Sequence, residues 1–304
     1  MNELETVMRV LPQALRNAIK QGIKEATGLN EIRLRIGMPV YVKYKAREHM
    51  LATNGLCDQN GTAKIVFTEG MMKETIEYIS NYSLYALEEE VGHGFITILG
   101  GHRAGICGRA VIVDGRVKTI RNISSINIRV AHEVYGCSTK VMQYLFNKDS
   151  FVNTLIISPP GAGKTTLLRD IVRTLSEKGY TVGISDERSE IAAVYQGVIQ
   201  NQLGTRVDVL DGCPKNLGIE MLIRSMSPDV IAVDEIGTKN DVHALKLAAV
   251  SGCKVIATAH GAGIEDVKRN TALAELIEQG YFKRVVCLKS DPAPGTIEGI
   301  FGDK

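Results

Sequence analysis

TLIISPPGAGKTTLLRD, residues 154–170, sets the reading of the whole chain. An apolar run of strand character meets a Gly/Pro turn, and a Leu-Leu pattern of helical spacing follows directly. Strand, tight loop and helix in that order place backbone N–H groups at a helix N-terminus, where phosphate oxygens are bound. The ending Gly163-Lys164-Thr165 matches a phosphate-binding loop, and Ser158 stands where the pattern has its first glycine. Pro159 and Pro160 constrain the turn, and a small residue such as Ser158 serves the first corner unless φ is positive there. Ser158, Pro159, Pro160, Gly161, Ala162, Gly163, Lys164, Thr165 and Thr166 are therefore the expected nucleotide-binding residues. Lys164 is expected to reach the β- and γ-phosphates, and the Thr165 hydroxyl to bind Mg²⁺.

Three further strand ends carry chemistry. DVIAVDE, residues 229–235, is an apolar run closed by Asp234 and Glu235, as in a buried central strand. Ligands bind at the carboxyl edge of such sheets. Asp234 is expected to hold Mg²⁺, directly or through water, and Glu235 to polarise the attacking water. A hydrolase needs such a group, whereas a kinase does not. GISDERSEIA, residues 183–192, delivers Asp186, Glu187 and Arg188 to the same edge; Glu187 or Glu190 is a candidate to share the water-orienting role. The plain alternative is a solvated helix start rich in acids. KVIATAHG, residues 254–261, ends in Thr258 and His260, read as a γ-phosphate sensor or a link to the next subunit, or else as a satisfied core histidine.

The rest of the chain agrees with a globular enzyme of about two domains. It has 304 residues, 44% hydrophobic and 23% charged, with a net charge of +2. So small a charge gives no general pull toward nucleic acid or anionic lipid. Six scattered cysteines form no Cys-x-x-Cys pair and read as reduced thiols of a cytosolic protein. No apolar run reaches membrane-spanning length, and the first residues, MNELETVMRVL, carry acids where a signal peptide carries bases.

Residues 2–26 read as an amphipathic helix that Pro12 splits, packing on its own domain. EIRLRIG (31–37), PVYVKYK (39–45) and AKIVFTE (63–69) read as strands, the first half-exposed with arginines on one face. Residues 69–94 read as one or two helices, 94–120 as a hairpin meander turning at Asp114-Gly115-Arg116, 122–134 as a further strand and 136–150 as a helix. From residue 148 strands and helices alternate, which predicts a parallel sheet covered on both faces. The expected domains are 1–147, α+β, and 148–304, α/β.

The segments PPGAGKTTLLRDIVR, SDERSEIAA, MLIRSMSPDVIAVDEIG and VIATAHG, supported by NEIRLRIGMPV and INIRVAHEV, together resemble the stage III sporulation protein AA family of endospore formers. That family is similar to the ATPases of type II and type IV secretion systems. The resemblance spans essentially the whole chain and is densest over 153–262. It implies a RecA-like ATPase domain behind a smaller α+β domain. It also implies ATP and Mg²⁺ as ligands and a homo-oligomer, a hexameric ring. SDERSE resembles the acidic box of secretion ATPases, and TAHG their histidine box. The implied role is in the cytoplasm of the mother cell, at the membrane through integral membrane proteins of the sporulation channel complex. There the protein would energise assembly of, or export through, a channel to the forespore. Ring ATPases of this kind bring an arginine to the γ-phosphate from beyond the phosphate loop, a group worth ~10³–10⁵ in rate. Arg121 and Arg129 are the favoured candidates, then Arg224, with Arg103 and Arg109 in the same Gly-rich hairpin.

Three other classes fit the sequence less well. A RecA-like nucleic-acid-binding ATPase fits poorly, because aromatics are 5% of the chain and Trp is absent. A small-molecule kinase is disfavoured by the Asp234-Glu235 pair and the long N-terminal half. A transporter subunit of the ABC class is disfavoured by the lack of an SGGQ signature.

Overall fold

The computed structural model describes residues 3–58, 61, 63–81 and 94–302. The chain divides into two compact units, Met1–His132 with Tyr195–Gln200, and Glu133–Val194 with Asn201–Lys304.

The first unit begins with α1 (Glu3–Arg9) and α2 (Gln13–Gly22), divided at Pro12 as the missing N–H of proline requires. Then come β1 (Leu29–Arg35), β2 (Tyr41–Tyr44), β3 (Arg47–Ala52), β4 (Gly55–Cys57), α3 (Glu69–Ile79), β5 (Phe95–Ile98), β6 (His102–Val113) and β7 (Arg116–Arg129). The seven strands form one antiparallel sheet, ordered β4-β3-β2-β1-β7-β6-β5. Along β1, Ile32 and Leu34 enter the core while Arg33 and Arg35 take the other face, where Arg33 pairs with Glu31. Leu4, Val7, Leu15 and Ile19 of the first two helices, with Leu11 between them, join that core, so the N-terminal segment packs on its own unit.

Several expectations need correction. Residues 63–69 form no strand and make only isolated bridges, Pro39 with Val66 and Ala52 with Lys64. The β3–β4 hairpin takes the edge instead. The expected strand over 122–134 is the second half of the 14-residue β7. Helix α3 accounts for residues 69–79, and residues 82–93, also expected to be helical, lie outside the described residues.

His102 is fully buried in this unit. Thr6 donates its hydroxyl proton to the Glu3 carbonyl at 2.7 Å and thereby accepts from His102 Nε2 at 2.8 Å. Nδ1 accepts the Ala131 N–H at 3.0 Å. A second ring proton would face that N–H, so only the neutral ring fits. Burial accordingly lowers the imidazole to about 4 from the usual 6.5. Between those values the unfolded chain binds a proton that the folded one does not. The contribution is complete above pH 6.5 and lost as pH falls through about 4, reaching about 3 kcal/mol. The stability difference between the wild type and His102→Gln should therefore shrink as urea unfolding is repeated from pH 6.5 down to 4.

The second unit comprises α4 (Thr139–Met142), β8 (Phe146–Asn147), β9 (Ser150–Phe151), β10 (Thr154–Ser158), α5 (Lys164–Glu177), β11 (Val182–Asp186), β12 (Val207–Asp211), α6 (Lys215–Met226), β13 (Val230–Val233), α7 (Lys239–Val250), β14 (Lys254–His260), α8 (Ile264–Val267), α9 (Thr271–Glu278), β15 (Arg284–Lys289) and β16 (Thr296–Phe301). Its main sheet runs β12-β11-β13-β14-β10-β15-β16, parallel except for β16. β10 and β13 are buried along their whole length, which is why they read as unbroken apolar runs. Leu155, Ile157, Ile231 and Val233 face a core shared with α6, α7 and α9; α5 packs on β10 and β14.

The helix expected over 136–150 is one turn, α4, followed by the small β8–β9 hairpin. Asp170 of α5 fixes where that turn begins. Its buried carboxylate accepts the N–H groups of Gly136 at 3.1 Å and Ser138 at 2.7 Å and pairs with Arg173. Burial pushes this carboxyl up, but the Ser138, Arg173 and Gly136 donors outweigh it and bring it to about 2. Residues 133–147, assigned to the first domain by sequence, thus pack in the second unit.

Candidate functional site

The site grows from the carboxyl ends of four parallel strands. β14 lies between β10 and β13, with Ser158 beside His260 and Val233 beside Ala257. The residues following β10 and those following β13 therefore flank the last residues of β14. β11 lies on the far side of β13, with Ser185 beside Val233.

After β10 the chain turns through Pro159 to Gly163 into α5. Gly161 (φ 73°) and Gly163 (φ 89°) adopt the left-handed conformation that glycine takes without strain. A side chain at Gly163 would also press on the Gly295 backbone at 3.2 Å. Ser158 ends a regular strand, is fully buried and bonds the Pro159 carbonyl at 2.9 Å. Its backbone is not left-handed, so serine is accommodated there. Ala162 is buried, whereas Thr165 and Thr166 open the helix half-buried.

Lys164 lies largely buried, its Nζ 3.0 Å from Glu235 Oε1. His260 Nε2 donates to the same oxygen at 2.6 Å and stands 3.3 Å from Lys164 Nζ. Thr165 Oγ1 donates to Asp234 Oδ2 at 2.8 Å. Thr258, fully buried, donates to Asp234 Oδ1 and accepts the Glu235 N–H at 2.9 Å. Glu235 itself is left-handed (φ 52°), a conformation costing roughly 1–2 kcal/mol outside glycine. The Thr258 hydroxyl and the Asp234 carboxylate, which both accept the Glu235 N–H, hold it in place. Burial raises the Glu235 carboxyl, yet the Lys164 ammonium and the His260 ring outweigh it and leave it below the usual value.

The acidic turn after β11 joins the same cluster. Asp186 is buried and accepts N–H groups from Glu190, Ile191 and Ala192 at 2.7–2.9 Å. Burial raises its carboxyl to about 6 against those three donors, so it is ionised at neutral pH. Glu187 Oε2 meets Lys215 Nζ at 2.5 Å. Arg188 Nη1 reaches Glu235 Oε2 at 3.2 Å. A cavity lined by Asp186, Glu187, Arg188, Lys215, Asp234 and Glu235 brings the two acidic segments together.

Among the described residues no three or more His, Cys, Asp and Glu side chains could hold a metal ion by themselves. Thr165 and Asp234 instead offer two adjacent oxygens. That fits Mg²⁺, which keeps several waters and takes one or two protein ligands plus phosphate oxygens.

His260 bonds Glu235, stands beside Lys164 and has a side chain 44% exposed, which corrects the core-histidine alternative. Thr258 is a brace for Asp234 and for the Glu235 backbone. Arg224 is not brought to this cluster by its own chain: it ends α6, its side chain is 77% exposed, and it pairs with Glu220 at 3.8 Å. Arg121 and Arg129 belong to the first unit, exposed on β7, where Arg121 pairs across the strand with Arg109. Lys215 was missed. Only the pairing of β11 with both β12 and β13 shows that the start of α6 closes over the acidic turn.

The family described as "Sporulation stage III, protein AA" matches residues 1–304. The chain is 42% identical over 309 residues to "Stage III sporulation protein AA" of Bacillus subtilis (strain 168), covering 99% of this chain and 95% of that protein. It is 26% identical to an uncharacterized protein, ycf45, of Porphyra purpurea, over 91% of this chain but 44% of the relative. Its fold is similar to that of the pilus retraction motor PilT, solved with bound ADP. The TM-score is 0.60 at 16% identity, over 94% of this chain and 78% of that one. It also resembles the ATPase DotB of Legionella pneumophila, with a TM-score of 0.55 at 15% identity, over 86% and 72%. The fold class is thus α/β, a RecA-like unit with a parallel sheet behind a smaller α+β unit.

Proposed function

The chain belongs to the family of sporulation stage III protein AA, and from that premise we propose that it is a Mg²⁺-dependent ATPase working as a homo-oligomeric, hexameric motor. In this reading it powers assembly of, or transport through, a channel between mother cell and forespore. It acts on the cytoplasmic side of the mother-cell membrane through integral membrane proteins of that channel. The observation that carries the reading is the convergence of Lys164 and Thr165 with Asp234 and Glu235, about 70 residues away in sequence, at one sheet edge.

The α5 N-terminus and the Gly161–Gly163 turn receive the β- and γ-phosphates, and Lys164 leaves Glu235 to bond them. Thr165 and Asp234 would hold Mg²⁺, which would supply positive charge against the phosphates. Glu235 orients a water and takes its proton as the water oxygen bonds to Pγ. The bond from Pγ to the β–γ bridging oxygen breaks, its electron pair leaving with ADP. His260 keeps the Glu235 carboxylate aimed.

Phosphate release should rise faster than linearly with protein concentration, in step with the mass of the nucleotide-bound particle. Absence of hydrolysis, or transfer of phosphate to an acceptor in place of water, would overturn the proposal.

A further inference from the structure

A site that breaks a phosphoanhydride bond needs positive charge at the γ-phosphate beyond Lys164. The second unit holds an arginine placed for that task. β11 and β13 are neighbours in parallel register up to Ser185 beside Val233, and the residues that follow them, Asp186 to Arg188 and Asp234-Glu235, line one cavity. That turn is fixed from three directions. Buried Asp186 holds the N–H groups of residues 190–192. Ser189, left-handed at φ 50°, donates to Asp211 at 2.6 Å. Lys215 engages Glu187. Of the two charged side chains at 187 and 188, the acid is thereby taken up by Lys215, and the guanidinium of Arg188 turns to Glu235.

The grip on Glu235 is shared. Oε1 is taken by Lys164 and His260, Oε2 by Arg188. Lys164 cannot stay on Oε1 and also reach the phosphates. Once it leaves, Arg188 is the cation of this unit still bonded to the carboxylate. The Arg188 side chain is 64% exposed. A guanidinium carries five donors in a rigid fork and can bond a carboxylate and a phosphate oxygen together, as an ammonium cannot do with the same geometry.

We propose that Arg188 is a catalytic arginine of the ATPase site, supplied by the same chain that binds the nucleotide. Its guanidinium meets a γ-phosphate oxygen only as the transition state is reached, while it holds Oε2 of Glu235. The charge gathering on the phosphoryl group and the position of the water-orienting carboxylate are then governed by one side chain. This assignment rests on the ATPase reading and goes beyond it by naming the arginine and the subunit that provides it.

The test compares full-length wild type, Arg188→Ala and Arg188→Lys in ATP turnover and in affinity for a fluorescent ATP analogue. Arg188→Ala is expected to lower kcat about 10³-fold while analogue affinity stays near that of the wild type. Arg188→Lys should recover little of the loss. A purely structural role would reduce affinity along with turnover, and that result would overturn the assignment. Mixing Arg188→Ala chains with Lys164→Ala chains settles which subunit acts. No gain in activity is expected, because the chain that binds ATP lacks its own arginine. Recovered activity would show an arginine acting across subunits and refute the proposal. If Arg188→Ala turns over ATP as the wild type does, this inference fails while the ATPase reading stands. A wild type that hydrolyses no ATP removes both.

Discussion

Glu235→Gln is expected to lower the turnover of ATP about 10³-fold while leaving ATP bound at least as tightly as in the wild type. The glutamine keeps the shape and can still accept a hydrogen bond from His260 or Lys164. What disappears is the negative charge that aims the water and receives its proton. Binding should not suffer, because Lys164 no longer has to be drawn away from a carboxylate 3.0 Å from its Nζ before it meets the phosphates. Single-turnover phosphate release alongside nucleotide titration separates the two effects. A glutamine variant that hydrolyses ATP at the wild-type rate would remove Glu235 from the mechanism, whatever its position.

Lys164→Ala should act on the other half of the cycle and weaken ATP binding by about 10²-fold. Hydrogen bonds to charged groups contribute roughly 1.5–3 kcal/mol each, and two phosphates share this ammonium. The truncation also frees Glu235. Lys164 is the largest influence that lowers this carboxyl against burial, so without it the carboxyl climbs back towards the ordinary range. In the nucleotide-free enzyme, which kcat/KM reports, the acid limb of residual activity should then lie at a higher pH than in the wild type. Unchanged nucleotide affinity in this variant would mean that the loop ahead of α5 does not hold the phosphates.

The fold was legible where local signals agreed. The strand, turn and helix over 154–177 formed as read, because an apolar run, glycines at the left-handed positions and a helical stripe all lie within a few residues of one another. β11, β13 and β14 were visible as apolar runs ending in chemistry. β12 and β16 were not. Both are short edge strands whose pattern is weak and whose existence depends on a neighbour's backbone, as with β4 in the other sheet. Residues 136–150 look helical in isolation, but Phe146 pairs with Phe151 in a hairpin and packs on Tyr180, more than 30 residues on. Tyr195–Gln200 behave similarly. They belong to the first unit, where the Tyr195 hydroxyl accepts from Asn81 and Gln200 accepts the Gly100 N–H.

By itself the sequence determined which residue types stand at the sheet's carboxyl edge: the phosphate loop, the Asp234-Glu235 pair, the acidic turn and the threonine and histidine of β14. Each is encoded within about ten consecutive residues, by periodicity and turn chemistry that act locally. The tertiary structure alone decided who touches whom. It set β14 between β10 and β13, made Thr258 the brace of Asp234, gave Glu187 to Lys215 and brought Arg188 instead of Arg224 to Glu235. Those contacts span 24 to 47 residues. They follow from strand order, which is fixed by burying both faces of a seven-stranded sheet at once, and no short stretch of chain carries that condition.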